Sequence, residues 1–128
     1  MKTQKLISML TFAIIALITV SVIYSTVYEG VRYSSALDNL NAGNLCEARA
    51  ELESVKYGYR DREVLLDYID IMQNYDPADS SNVYRSYRTL SKLISNVNSD
   101  TVSGWIEASR QAISMSYYSL LGQTNGLG

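Results

Sequence analysis

The sequence predicts an all-α protein, an N-terminal transmembrane helix followed by a short α-hairpin stack of about four to five helices. Three observations predict it. Residues 6–28 hold no charged side chain, the rest of the chain repeats its apolar residues with a period near 3.6, and one proline (Pro77) and few glycines interrupt it before the tail. At 128 residues the chain is one ordinary domain at most, and the part that crosses a membrane is subtracted from the soluble core.

The apolar run LISMLTFAIIALITVSVIYSTVY occupies residues 6–28. As a helix it measures roughly 34 Å, enough to cross a hydrocarbon core of about 30 Å with some tilt. Its Ser and Thr hydroxyls can bond to the helix's own carbonyls, and Tyr24 and Tyr28 suit the interface because each ring has a wet end. Lys2 and Lys5 precede the run, whereas Glu29 and Arg32 cancel beyond it. The bias places residues 1–5 in the cytoplasm and residues 29–121 outside a cell membrane. A cleaved secretory signal is the competing reading. The run is long for a signal core, and the small pair Ser34 and Ala36 lies eight residues past its end within a helical pattern, so a retained signal-anchor is expected.

The continuation of this helix carries Tyr33, Leu37 and Leu40 on one side, and Gly43 ends it as a left-handed C′ residue. Asn44 and Glu47 resemble a capping box opening a second helix with Leu45, Ala48, Leu52 and Val55 at helical spacing. A turn over residues 56–60 contains Gly58, and Asp61 is placed to cap a third helix that buries Val64, Leu65, Tyr68, Ile69, Ile71 and Met72. Residues 76–81 (DPADSS) break the pattern and supply caps. A fourth helix turns Val83, Tyr87, Leu90 and Ile94 inward. After a polar turn at residues 96–100, with Ser99 or Asp100 as cap, a fifth aligns Val102, Ile106, Ile113, Tyr117 and Leu120. Trp105, Ala108, Ala112 and Met115 lie beside that line, making a wide apolar stripe. Residues 122–128 read as a flexible tail.

The stretch over residues 36–52, ALDNLNAGNLCEARAEL, resembles a tetratricopeptide-type helical hairpin. The resemblance rests on Ala36, Gly43 in the turn, Leu45, Ala48 at the helix crossing and Leu52, with Leu40 and Val55 in the packing set. Gly takes the left-handed turn, and Ala lets two backbones approach. Tyr59 and Asp61 match the "Tyr-x-Asp" turn of the repeat variant common in exported bacterial proteins. Arg60 stands where the standard repeat closes on proline, and residues 84–94 lack the glycine and the crossing alanine. The resemblance therefore covers about half of the exported part. It implies two irregular hairpins with a terminal capping helix and a protein-binding scaffold without catalytic residues.

Composition narrows the function classes. Beyond residue 28 the chain has nine basic and 13 acidic groups, so it lacks the basic excess that phosphate neutralisation demands, and no nucleic-acid partner is expected. It has no His and a single Cys, which removes a disulfide framework and the usual metal and nucleophile sets. Cys46 at a helix start has Leu45 and Glu47 as neighbours and no base to activate it, and reads as a packed thiol. Glu63, Asp67 and Asp70 form an acidic row without calcium-loop spacing. Arg85, Arg88 and Lys92 form a basic row; it can face the acidic row, bind an acidic peptide, or stand in solvent, the default for a charged helix face.

Tyrosine is abundant, eleven residues against one Phe and one Trp. It buries a ring while keeping its hydroxyl wet, which suits both half-exposed packing and binding surfaces, with Tyr57, Tyr59, Tyr84, Tyr87, Tyr117 and Tyr118 as candidates. The expected partner surface joins Tyr84, Tyr87 and Trp105 to Arg85, Arg88 and Lys92. No catalytic, cofactor-binding or metal residue is expected, and no enzyme motif is present. The expectation is a membrane-anchored protein-interaction or assembly scaffold whose partners are the lipid bilayer and a protein. The alternatives are an accessory subunit packing through its transmembrane helix and a secreted helical ligand-binding domain.

Overall fold

The computed structural model describes residues 2–126, with side chains through residue 122. Five helices follow one another: α1 (Lys2–Asn41), α2 (Leu45–Ser54), α3 (Arg62–Asn74), α4 (Ser80–Ile94) and α5 (Asp100–Gly126). Among the described residues there is no strand. Each helix packs on the next in sequence, α1 on α2 through to α4 on α5, as expected of antiparallel helices joined by short turns.

α1 is a single helix of 40 residues, about 60 Å long. No break separates the apolar run from its continuation at residue 29. Its lower part touches no other helix: the large apolar side chains from Leu6 to Val27 are 56–77% exposed. Thr11, Thr19 and Thr26 turn their hydroxyls back to the carbonyls of Ile7, Ile15 and Val22 at 2.8–2.9 Å, so their polarity is spent within the helix. α1 is thus long and apolar enough to cross a membrane. Its upper part buries Tyr33 and Ala36 against α2.

The α1–α2 turn closes as a Schellman motif. Gly43 takes φ +83°, Asn44 N–H donates to the Asn39 carbonyl at 2.8 Å, and Gly43 N–H donates to that of Leu40 at 3.1 Å. Asn44 does not build the expected capping box. Its side chain caps nothing and donates instead to Asn39 Oδ1 at 3.4 Å, taking the place of the apolar contact that usually braces this motif. Ala36 of α1 and Ala48 and Leu52 of α2 are fully buried, and alanine side chains this small leave room for close packing.

The remaining core is built from Val55, Leu65, Ile69, Val83, Leu90, Leu93, Val102, Ile106 and Ile113. Each fully buried Leu or Ile among them is worth about 1.5–3 kcal/mol of transfer free energy. On α4 the buried positions are Val83, Ser86, Leu90 and Leu93, spaced 3, 4 and 3 apart, so the inward stripe is rotated from the expected line and leaves Tyr87 and Ile94 half-buried. Asp79 caps this helix, accepting from Ser81 N–H at 3.0 Å and Asn82 N–H at 3.4 Å. On α5 the first expected line faces inward, with Val102, Ile106 and Ile113 buried and Tyr117 and Leu120 half-buried, but its neighbour does not: Ala108, Ala112 and Met115 are exposed and Trp105 is half-buried, because α4 covers only one side of α5. α5 also stays helical through Gly122 to Gly126, where a tail was expected; Leu127 and Gly128 lie outside the described residues.

Candidate interaction site

Two turns meet through one carboxylate. Asp61, 2% exposed, accepts from Asn98 N–H at 2.9 Å and from Ser99 N–H at 3.1 Å. It does not cap α3 as expected from its position. The better use of a buried anion is at the start of α5, where unpaired N–H groups and the helix dipole favour negative charge. Tyr68 on α3 adds a 2.6 Å hydrogen bond to Ser109 on α5, so α3 holds α5 at two levels. The α2–α3 and α4–α5 turns therefore lie at one end of the stack, and the α1–α2 and α3–α4 turns at the other.

That geometry places the aromatic residues. Tyr84 lies ten residues before the end of α4, about 15 Å from the Asp61 level. There Tyr84, Tyr87, Ser114, Tyr117 and Tyr118 line a recess of about 180 Å³. The Tyr84 and Tyr117 rings are 6.2 Å apart, and Tyr117 meets Tyr118 edge-on at 6.0 Å. Tyr87, Ser114 and Tyr118 also line an adjoining recess that continues along α5 past Arg110, Gln111 and Met115. The two form one groove with an aromatic floor. Arg110 stands over the Tyr87 ring at 5.7 Å and is steered there by Glu107 at 2.7 Å and Ser91 Oγ at 3.4 Å. Tyr118, Met115 and Tyr84 are 68%, 74% and 53% exposed, so much apolar surface on the groove's rim faces solvent.

The expected partner surface is divided. Tyr84 and Tyr87 reach the groove, whereas Arg85 lies on the other side of α4, in a recess shared with Asp70, Asn74 and Asn82. Arg88 and Lys92 are exposed, and among the described residues none of the three basic side chains forms an ion pair. Trp105 lines neither part of the groove. Sequence reading missed Arg110; its one signal was a cation seven residues before Tyr117, on the same helix face. The acidic row is also dispersed. Asp70 pairs with Arg49 of α2, Glu63 accepts from Gly58 N–H at 2.9 Å and Arg62 at 2.9 Å, and Asp67 is exposed. Among the described residues no three His, Cys, Asp or Glu side chains converge. Cys46 is exposed rather than packed and receives a 3.6 Å contact from Gln73 Nε2.

Set against protein-family models, curated proteins and solved structures, the chain matches none.

The residues that suggested a helical hairpin gather on the α1–α2–α3 side. Ala36, Ala48, Leu52, Val55 and Asp61 are buried, Leu40, Leu45 and Tyr59 are half-buried, and Gly43 makes the turn. Tyr59 packs edge-on against Tyr33 at 5.5 Å, and Arg60 covers both rings at 5.5–5.6 Å. Burial holds the Tyr33 phenol above its usual range, opposed in part by the Asp61 N–H and the Arg60 charge.

Proposed function

We propose that the chain is a single-pass, membrane-anchored interaction or assembly module. Residues 6–28 of α1 cross the bilayer, Lys2 and Lys5 keep the N-terminus in the cytoplasm, and the helices beyond Glu29 form a small tetratricopeptide-like stack outside. The repeat-like reading is supported by the buried Ala36 of α1 and Ala48 of α2 and by the packing of each helix on its neighbour.

The observation that carries the interaction role is the groove of Tyr84, Tyr87, Tyr117 and Tyr118. It opens at the end of the stack remote from the apolar half of α1. Rigid tyrosines lose little conformational entropy when covered and offer both ring and hydroxyl, which is why such surfaces concentrate binding energy. A partner segment bearing apolar side chains docks there, and anchoring in one membrane raises its effective concentration.

The test is a photoreactive residue at position 118 in the full chain in its native membrane, with position 47 on exposed α2 surface as control. A crosslinked partner at 118 and none at 47 is the expected result; equal labelling at both sites removes the groove from the reading. The exposed apolar side chains of residues 6–27 favour a second reading, in which the span itself packs into a membrane complex. Exchanging residues 6–28 for an unrelated apolar helix separates the two: the module keeps its partner, and an accessory subunit loses it.

A further inference from the structure

The α2–α3 turn is tied to α1 at the level where the apolar run ends. Lys56 N–H donates to Glu29 Oε2 at 2.8 Å, and a Cβ on Gly30 would stand 3.6 Å from the Tyr59 hydroxyl. Glu29 is the first residue past the run. An interfacial layer of several ångströms lies on each side of the hydrocarbon, so residues 56–60 fall within its depth if residues 6–28 span. The turn also reaches downward. Lys56 and Tyr59 share a recess of about 410 Å³ with Ser21, Val22, Ser25, Thr26 and Glu29. Ser21, Ser25 and Glu29 are spaced four apart, so a polar strip descends one face of α1 directly beneath the turn.

The chemistry of the turn fits that layer. Tyr57 is 85% exposed, an aromatic ring with a wet hydroxyl that follows Lys56, whose N–H meets α1 at Glu29 beside Tyr28, and such a ring suits an interfacial aromatic belt. The turn is held in shape by Gly58 at φ +81° and Arg60 at φ +46°, with Gly58 N–H bonded to Glu63. Of its nearby acids, Glu63 is bonded by Gly58 and Arg62 and Asp61 by the α5 turn, while Glu29 accepts from Lys56 N–H through one oxygen. Arg32 rests over the Tyr28 ring at 5.3 Å. The Lys56 ammonium forms no ion pair among the described residues.

We propose that the α2–α3 turn is a second membrane contact, with Tyr57 seated in the headgroup layer of the leaflet from which α1 emerges. A phospholipid sits at the mouth of the recess with its phosphate on the Lys56 ammonium, and its acyl chain runs down α1 past Val22 and Thr26. One helix fixes a domain's height above a bilayer; a second contact beside it also fixes tilt and rotation. The Tyr84–Tyr118 groove is thereby presented at a set orientation. This inference rests on the membrane-anchored reading of α1.

The experiment places a single tryptophan in the full chain, in a Trp105→Phe background, as Tyr57→Trp or as Tyr28→Trp. The chains are reconstituted into phosphatidylcholine–phosphatidylglycerol vesicles whose lipids carry bromine either near the headgroup end or near the tail end of an acyl chain. Both probes are expected to lose emission to the shallow bromine and much less to the deep one, and Lys56→Glu is expected to restore the emission of the Tyr57→Trp probe alone. If Tyr28→Trp is quenched while Tyr57→Trp responds only to aqueous iodide, the turn does not rest in the membrane and the inference falls while the anchor stands. If neither is quenched, the anchor falls and the inference with it. Tyr57 is exposed, so its replacement leaves the core untouched, and unchanged far-ultraviolet circular dichroism verifies the fold of each variant.

Discussion

The carboxylate of Asp61 accepts the backbone N–H of Ser99, 38 residues later, at 3.1 Å. With its second oxygen on Asn98 it fastens the turn that enters α3 to the turn that enters α5. Replacing it by Ala leaves two part-buried N–H groups without their protein acceptor. The loss is about 1–2 kcal/mol, since water reaches part of the turn, read as a lower urea midpoint at unchanged m-value. Asp61→Asn keeps the shape, offers one acceptor oxygen and turns an amide donor toward another donor, so it falls between Ala and wild type. If Asp61→Asn matches wild type, the carboxylate is not the clasp.

Gly43 tests the turn instead of the core. It sits at φ +83° with nothing within 4 Å of where a Cβ would stand. Gly43→Ala therefore costs only backbone strain, about 1 kcal/mol, while Gly43→Asn costs less because Asn tolerates the left-handed region. Thermal unfolding of the three chains orders them Gly, Asn, Ala. A larger loss on Gly43→Ala, followed by no recovery on Gly43→Asn, would point to a steric clash that the geometry lacks.

These two residues also mark how far the sequence could be read. Gly43 was legible because its conformational need is local: a glycine after an apolar-periodic run has few other uses. The helices and the apolar run of α1 were legible for the same reason, through spacing along one segment. Asp61 was not. Its position before α3 makes it look like a cap, and only the meeting of two distant turns reveals a better partner. The Tyr84 groove was half legible: tyrosine abundance flagged its members, but the arrangement depends on how α5 lies against α4. That rotation puts Arg110 beside Tyr87 and sends Arg85 to the opposite side.

Glu63 predicts the acid limb of stability. Partial burial pushes its carboxyl up, but the hydrogen bonds from Gly58 N–H and Arg62 outweigh that and leave it below its ordinary 4.5. A lowered folded-state value means the unfolded chain binds the proton first. The contribution is full above pH 4.5 and is lost as pH falls through the folded value. Glu63→Gln should therefore lower the midpoint at neutral pH and flatten the decline below about pH 5. Tyr33 acts at the other end. Burial raises its phenol above 10, so its contribution is present below pH 10 and lost above, and Tyr33→Phe should flatten that alkaline limb. Melting temperatures across both ranges check the two signs.

The groove predicts a separation of folding from binding. Tyr118 is 68% exposed, so Tyr118→Ala should leave the stability of the stack within about 0.5 kcal/mol of wild type while weakening retention of the partner captured at position 118. Tyr87 is half-buried under Arg110, so Tyr87→Ala should lower both stability and retention. Tyr84→Phe isolates the hydroxyl: it keeps the ring against Tyr117 and loses one polar group at the rim. Co-purification from membranes, read beside urea unfolding of each variant, gives the two axes. If retention falls only in step with stability across the series, the tyrosines serve the fold and the partner binds elsewhere. If Tyr118→Ala loses the partner at full stability, the exposed ring is a contact.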